Sequence, residues 1–524
     1  MRLSALLSGV RPLSFGDAEL DVSSLVLDSR KASAGSLFFA LPGTRSDGNR
    51  HVREAIEKGA AAIVSELKSP PAPIAMLRRD APGRSVSWVQ VTDVLASMAR
   101  MAANFYGDPS ARLIVIGVTG TNGKTTTTYL LESIIAAAGG VPGVIGTVEH
   151  RVAGRRLEAA ANTTPFSLDL TRLLARMLAS GATHAAMEVS SHALVTQRVS
   201  EVHFDAAVMT NLQSDHLDFH KTREAYFEAK AGLFTLLERA DSVKPRRVAV
   251  LNKDDETYCR LRHRVLDEKI VSYGTSPDAD YRAEEVQADA DGIRFALLAK
   301  GRRWPATLRL IGRYNVHNAL GAAAAALELG LTPEAVLAGL ASLAGVPGRL
   351  ERVRPEAGPR VFVDYAHTTD AVAGALDTLR ALAAAPSASG ETSRSGDRGP
   401  LAAARLIVVF GCGGDRDKTK RGPMGEAACS RADAVIATSD NPRGEDPMEI
   451  LEQVEQGMRR AGRENYRIVP DRSEAIREAL ASASPDDIVL IAGKGHETVQ
   501  ILKDGAVHFD DREVARAALL DLGK

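Results

Sequence analysis

The 524-residue sequence predicts an α/β protein of three domains: a central P-loop domain on a doubly wound, mostly parallel sheet, a C-terminal Rossmann-like α/β domain and a smaller N-terminal α/β domain. Three observations predict it. Continuous apolar runs alternate with helix-patterned segments in two series, one starting at Leu113 and one at Val361. A loop rich in glycine and threonine sits where the first run passes into a helix. Turn clusters at 104–109 and 344–348 separate the series. The expected domains are therefore 1–107, 108–345 and 346–524.

In the first domain, strand-like Ser24–Leu27 and Ser36–Leu41 precede a helical segment, His51–Glu57. The central series opens with Leu113–Val118, then a helix carrying Leu130, Leu131, Ile134 and Ile135 and closed by Gly139-Gly140. Buried runs follow at Ala185–Val189, Ala206–Met209 and Val248–Leu251. The last series has Val361–Val363, Leu406–Phe410, Ala434–Thr438 and Ile488–Ile491. Ala385–Pro400, rich in Ser, Gly, Ala and Arg, reads as a disordered surface loop, because the same series resumes after it.

Composition excludes several classes. The formal net charge of −1 exerts no global pull toward nucleic acid or anionic membrane, so any phosphate site must be local. Cys259, Cys412 and Cys429 form no C-x-x-C pair, which argues for a reducing cytoplasm and against a disulfide scaffold or structural zinc. No uncharged apolar run reaches the ~18 residues of a membrane span. Ala319–Leu331 comes nearest but contains Glu328 and two glycines, so it reads as a packed helix. The apolar Met1–Val10 runs at once into Arg11-Pro12 and lacks a small-residue cleavage pattern, unlike a secretory signal.

The strongest chemical signal is Gly117-Val118-Thr119-Gly120-Thr121-Asn122-Gly123-Lys124-Thr125-Thr126. Backbone N–H groups of such a loop cradle phosphate at a helix N-terminus. Lys124 would reach the terminal phosphates and the Thr125 hydroxyl would face Mg²⁺. The strict P-loop pattern has glycine where this chain has Val118, leaving the shorter T-G-T-N-G-K-T-T form. Glu188 ends an apolar strand beside the loop, where a carboxylate suits Mg²⁺. Plainer readings exist for each: a solvated strand-end glutamate is the lesser alternative for Glu188, whereas His216 read singly is a packed or surface histidine and Lys230 a solvated helix lysine.

Further motifs follow in order. They are Met187-Glu188-Val189-Ser190-Ser191-His192, Thr210-Asn211-Leu212, Asp215-His216-Leu217-Asp218 and Tyr226-Phe227-Glu228-Ala229-Lys230, then Gly312-Arg313-Tyr314-Asn315-Val316-His317-Asn318, Pro347-Gly348-Arg349-Leu350-Glu351 and Asp364-Tyr365-Ala366-His367. With the shorter loop, this series resembles the Mur ligase family over nearly the whole chain; folylpolyglutamate synthase shares the loop form. The resemblance implies ATP binding at Gly120, Thr121, Asn122, Gly123, Lys124, Thr125, Thr126 and Asn315. It implies catalytic roles for Lys124, Glu188, His216 and Lys230. Mg²⁺ would be held by Thr125, Glu188, His216 and, once converted to a carbamate by CO₂, Lys230. Asp364 and His367 would position ATP or the interdomain contact; the family usually has proline where this chain has Thr369.

Leu27-Asp28-Ser29-Arg30 and Gly43-Thr44-Arg45-Ser46-Asp47-Gly48 resemble the UDP-binding loops of the diaminopimelate-adding branch, with Leu27, Ser29, Thr44, Arg45 and Ser46 as contacts. Asn162, Thr163, Thr164, Ser190 and Arg198 match the set that meets the muramoyl part; at Thr196 some relatives carry glutamine. In the last domain Gly411-Cys412-Gly413-Gly414-Asp415-Arg416-Asp417-Lys418, Asp440-Asn441-Pro442-Arg443 and Gly493-Lys494-Gly495-His496-Glu497 each follow an apolar strand, where α/β sheets bind ligands. Diaminopimelate carries one carboxylate more than lysine, and an arginine fork binds a carboxylate bidentately. Arg443 suits that group, Arg416 another carboxylate and Glu497 an ammonium. Asp440, Asn441, Pro442 and Gly493 complete the expected set, and D-N-P-R resembles the diaminopimelate-adding ligases.

The implied activity is ATP-dependent amide ligation in peptidoglycan precursor synthesis. It would add meso-diaminopimelate to UDP-N-acetylmuramoyl-L-alanyl-D-glutamate through an acyl phosphate, in a cytoplasmic monomer with no nucleic-acid partner. Two alternatives stay open: a related ligase adding lysine, a dipeptide or a folate-linked glutamate, and a regulatory P-loop NTPase. The second leaves the three C-terminal motifs without a task.

Overall fold

The computed structural model describes residues 1–43, 47–70, 86–213, 215–266, 269–289, 291–353, 358–384 and 404–524. Thr44, Arg45, Ser46 and the Ala385–Pro400 segment lie outside the described residues.

Ser24–Val26, Ser36–Phe39, Ala62–Ser65 and Ser87–Gln90 form a parallel four-stranded sheet in chain order. Its core joins Leu37, Phe39 and Val64 to Met98 and Met101 of the helix Val94–Tyr106. That helix starts where the Asp93 carboxylate accepts a hydrogen bond from Ala96 N, and stops at the left-handed Gly107.

The central sheet has eleven strands among the described residues. From edge to edge they are Arg302–Leu308, Gly292–Ala299, Tyr281–Asp289, Ile270–Gly274, Val248–Asn252, Ala206–Met209, Ile114–Thr119, His184–Glu188, Pro142–Ile145, Glu149–Val152 and Arg155–Ala159. Its middle is parallel, as the buried Val- and Ala-rich runs predict. Antiparallel arms close both ends, which the apolar runs did not reveal, because half-buried arm strands mix polar and apolar residues. On one face Lys124–Ala137, Asn315–Glu328 and Pro333–Ser342 bury Leu130, Ile134, Leu320 and Val336 against Val118 and Val208. On the other, Ser167–Ala179 and Arg223–Leu237 bury Leu173, Met177, Phe227 and Phe234 against Val115 and Met187. Each such side chain contributes about 1.5–3 kcal/mol, and this two-sided packing holds the phosphate-loop strand rigid at the sheet centre. Helix Pro333–Ser342 approaches helix Lys124–Ala137 so closely that a Cβ on Gly339 would lie 2.4 Å from Ile134 Cα.

The last sheet orders Glu351–Val353, Arg360–Asp364, Ile488–Ala492, Leu406–Phe410, Ala434–Ala437 and Tyr466–Ile468, parallel except for its first pair. Apolar clusters line both faces, as doubly wound packing requires. A two-stranded hairpin, Val499–Leu502 with Gly505–His508, stands outside it. No helix among the described residues is long and apolar enough to cross a membrane.

Candidate active site

The phosphate loop leaves strand Ile114–Thr119 and enters helix Lys124–Ala137. Its turn needs Gly120: φ is +142°, and a Cβ there would lie 1.8 Å from Thr210 Oγ1. The Thr210-Asn211 segment fastens the loop from the next strand. Thr210 Oγ1 donates to Asn122 O at 2.6 Å, Asn122 N donates to Asn211 Oδ1 at 3.0 Å and Thr121 N to Asn211 O at 2.8 Å. Asn315 and Asn318 back it from a helix N-terminus, where Asn318 Nδ2 donates to Asn315 Oδ1 at 2.8 Å. Lys124 folds over the loop, its Nζ donating to Gly120 O and Thr121 O, both at 2.9 Å. Burial lowers its pKa from the ordinary lysine value.

Glu188 is 1% exposed. Its Oε1 accepts from Thr125 Oγ1 at 3.0 Å and Thr147 N at 2.9 Å, and its Oε2 from Thr147 Oγ1 at 2.9 Å. A carboxylate beside a P-loop hydroxyl is a hard oxygen pair of the kind Mg²⁺ takes, so the residues fit that ion. Lys230 lies on helix Arg223–Leu237, which Thr222 caps at Ala225 N. It is 2% exposed, and its Nζ donates to the same Gly120 carbonyl at 2.7 Å. Burial first, then the Lys124 charge, pushes its pKa well below that of a free lysine.

Among the described residues, His216 lies near this group without a hydrogen bond to Thr125, Glu188 or Lys230. Its backbone is left-handed (φ 54°), and its ring packs on His192 at 4.9 Å between centroids and on Tyr226 at 6.2 Å. Tyr226 links it to the loop, its hydroxyl 3.2 Å from Thr121 Oγ1. Partial burial and neighbouring cations push the His216 pKa down to about 4, while Asp215 opposes. Among the described residues, no three His, Cys, Asp or Glu side chains surround a common point for a metal.

The residues expected to meet the muramoyl part converge on Glu188 from the other side. Buried Thr164 donates from Oγ1 to the Glu188 carbonyl at 2.9 Å and accepts from Ser190 N at 3.1 Å. Arg198 Nη1 donates to Thr164 O at 2.8 Å, and Thr147 Oγ1 is 3.1 Å from Thr163 Oγ1. Asn162 is exposed on that loop. In the first domain Leu27 is half-buried, and Ser29 is buried with its hydroxyl donating to Glu54 Oε2 at 2.6 Å.

The three C-terminal motifs meet beyond the carboxyl ends of their strands. Arg443 is left-handed (φ 53°), as is Asp415 (φ 52°), a costly conformation that clusters at functional sites. Arg443 Nη1 donates to Gly414 O at 2.8 Å, and exposed Arg416 adds to the positive field that lowers the Arg443 pKa after burial. A Cβ on Gly493 would lie 2.5 Å from Asp440 Oδ2. Asn441, between Asp440 and Pro442, turns its amide inward: Nδ2 donates to Glu497 Oε2 at 2.8 Å and Oδ1 accepts from Ile501 N at 2.9 Å.

A cavity of about 470 Å³ separates the nucleotide loop from the last domain, lined by Asn122, Thr125, Asn315, Arg349 and His367 among others. Arg349 closes it, its Nη2 donating to Thr125 Oγ1 at 3.1 Å across 224 residues of chain while its guanidinium lies 4.9 Å over the Tyr365 ring. Asp364 Oδ2 holds the Arg349 segment through Leu350 N at 2.6 Å. Arg349 and Thr147 carried no role in the sequence reading. Arg349 stood within a recognised motif, yet nothing local aims it at Thr125; Thr147 has no motif at all.

Comparison with known proteins bears on the family and the fold. Residues 21–106 match the model for the Mur ligase family, catalytic domain; residues 118–326 that for the Mur ligase middle domain; residues 348–495 that for the Mur ligase, glutamate ligase domain. Two proteins named UDP-N-acetylmuramoyl-L-alanyl-D-glutamate--2,6-diaminopimelate ligase are among the relatives. That of Solibacter usitatus is 45% identical, covering 100% of this chain and 99% of the relative, and that of Geobacter metallireducens is 42% identical over the same shares. A solved structure of that name is 31% identical with a TM-score of 0.65, covering 100% of this chain and 99% of its own. MurF from Thermotoga maritima in complex with ADP shares the fold at 20% identity and a TM-score of 0.63, covering 96% and 97%.

The buried histidines set an acid limit. His220 Nε2 is 2.9 Å from Ser191 Oγ, and burial pushes its pKa down to about 4; burial likewise pushes His496 down to about 3. Unfolded, each takes a proton near pH 6.5. Below that pH the unfolded chain binds more protons, so stability falls as pH drops from about 6.5 toward 4. Thermal melts between pH 7 and 4.5 should show a falling Tm, and His220→Gln should flatten part of the decline; an unaltered slope in that variant refutes the assignment.

Proposed function

Because the chain belongs to the Mur ligase family, we propose that it joins meso-diaminopimelate to UDP-N-acetylmuramoyl-L-alanyl-D-glutamate at the expense of ATP, in peptidoglycan precursor synthesis. The observation that supports this reading most is the Arg349–Thr125 contact, which joins the last domain to the phosphate loop across one cavity. Residues 1–107 serve the UDP-sugar, 108–345 the nucleotide and 346–524 the amino acid. The enzyme works as a cytoplasmic monomer without a nucleic-acid partner.

The γ-phosphoryl group of ATP passes to the D-glutamyl side-chain carboxylate, giving an acyl phosphate and ADP. The diaminopimelate amine attacks the acyl carbon, phosphate departs, the amine loses a proton and an amide remains. Gly120, Thr121, Asn122, Gly123, Thr126 and Asn315 hold the nucleotide. Lys124 exchanges its two loop carbonyls for phosphate oxygens, offsetting charge on the transferring group. Thr125 and Glu188 are the first candidates to hold Mg²⁺, joined by His216 and Lys230. When bound, that ion supplies positive charge against the phosphates. Lys230, whose charged form burial disfavours, is competent once deprotonated to add to CO₂ through nitrogen, lose a proton and become an anionic carbamate. Thr163, Thr164, Ser190 and Arg198 present the muramoyl arm next to Glu188. Asn162, Leu27, Ser29, Thr44, Arg45 and Ser46 bind the rest of that substrate. Arg443 and Arg416 take carboxylates of diaminopimelate, Glu497 takes an ammonium, and Asp440, Asn441, Pro442 and Gly493 shape the pocket. Closure of the cavity keeps water from the acyl phosphate.

Purified protein given ATP, Mg²⁺, the UDP-dipeptide and diaminopimelate should form the UDP-tripeptide, with phosphate release requiring both acceptor substrates and ¹⁸O moving from the carboxylate into phosphate. ATP hydrolysis without amide would sink the reading. Lys230→Ala should lose nearly all turnover while remaining folded by thermal melt; full activity would reject its role. A charge-assisted contact is worth about 1.5–3 kcal/mol. Arg443→Ala should therefore raise the KM for diaminopimelate at least tenfold, and unchanged kinetics would remove Arg443 from the site.

A further inference from the structure

Lys494 is a buried cation for which the mechanism above has no use. Its side chain is 0% exposed, deeper than that of Glu497, which is 29% exposed. It sits between strand Ile488–Ala492 and the hairpin strand Val499–Leu502. An ammonium has three donors, and this one has three oxygens. Nζ lies 2.5 Å from Val499 O, 3.3 Å from Asn441 Oδ1 and 3.4 Å from Glu497 Oε2. The ring closes through Asn441, whose Nδ2 donates to the same Glu497 Oε2 at 2.8 Å. The hairpin adds Ile501 N to Asn441 Oδ1 at 2.9 Å and Gln500 Nε2 to Asp440 O at 2.7 Å. Ile501 O in turn accepts from Arg443 N at 3.0 Å.

Two consequences follow from this wiring. Glu497 Oε2 is occupied by protein donors, whereas Oε1 has no partner among the described residues and is left for a ligand ammonium. The Asn441 amide has only one orientation that satisfies Lys494 and Ile501 N with its oxygen and Glu497 with its nitrogen. Asn441 thereby fixes the backbone that presents Arg443, because Asn441 O accepts from Gly414 N at 2.9 Å.

We propose that Lys494 is the positioning residue of the amino-acid site: one buried ammonium holds Glu497, Asn441 and the hairpin together, so that an ammonium-binding oxygen and the carboxylate-binding Arg443 stay at the separation a diamino dicarboxylic acid requires. Lys494 acts through these residues and does not touch the reacting atoms. The inference rests on the ligase reading.

The test is steady-state kinetics of Lys494→Met in the complete reaction, with diaminopimelate, ATP and the UDP-dipeptide varied in turn and a thermal melt on the same sample. The KM for diaminopimelate should rise at least tenfold, with kcat within threefold and the other two KM values within twofold of wild type. A uniform loss in all three substrates, or an unchanged KM for diaminopimelate, overturns the proposal while wild-type turnover keeps the function intact. Absence of amide synthesis in the wild type instead defeats the ligase reading itself. If Lys494→Met does not fold, the same measurements on Lys494→Arg decide. That variant keeps the charge but cannot place one nitrogen among three oxygens, so its KM for diaminopimelate should still rise tenfold, and a wild-type value overturns the proposal.

Discussion

The Glu188 carboxylate is the constraint on which the site depends. A buried anion must be fully hydrogen-bonded or it destabilises the fold. Here its donors come from separate segments: Thr125 of the phosphate loop and both Thr147 groups, while its own carbonyl holds Thr164. Through Thr125 the chain of contacts reaches Arg349 and the last domain. The need to satisfy one charge thus ties the phosphate loop, the Thr147 turn and the Thr164 loop to one point.

Around that point the protein keeps more positive charge than it pairs. Lys124 and Lys230 donate to the same Gly120 carbonyl, and burial disfavours the charged form of each. Two buried ammoniums so close are tolerable only when one is neutral or an anion arrives. ATP brings anionic charge, and a carbamate on Lys230 would reverse the sign there. The loops at the C-terminal strand ends follow the same logic, with Arg416 and Arg443 adding to one positive field. Arg443 is held by the carbonyls of Gly414 and Asn441, so an anion arriving there would relieve repulsion without ordering that side chain.

The parallel cores were legible because strands covered on both faces leave unbroken apolar runs, as at Ile114–Thr119 and Leu406–Phe410. The antiparallel arms were not, since strands such as Arg155–Ala159 are half-exposed and carry no such run. The phosphate loop was legible because its glycines, lysine and threonines are contiguous in the chain, although the residues that fasten it are not. The roles of Arg349 and Lys494 were not. Both stood in motifs, but their partners are distant in the chain or set by the packing of a hairpin, and no local spacing encodes that.

By itself the sequence determined the βα order, the glycines that permit the phosphate turn and the kinds of side chain present at each strand end, because these are local properties of backbone sterics and apolar periodicity. Only the tertiary structure decided which groups meet. It set Thr125 against both Glu188 and Arg349, packed His216 against His192 and Tyr226 and turned the Asn441 amide inward to Lys494 and Glu497. The physical reason is that a buried polar group takes whichever partner packing brings within about 3 Å, and that choice belongs to the whole fold.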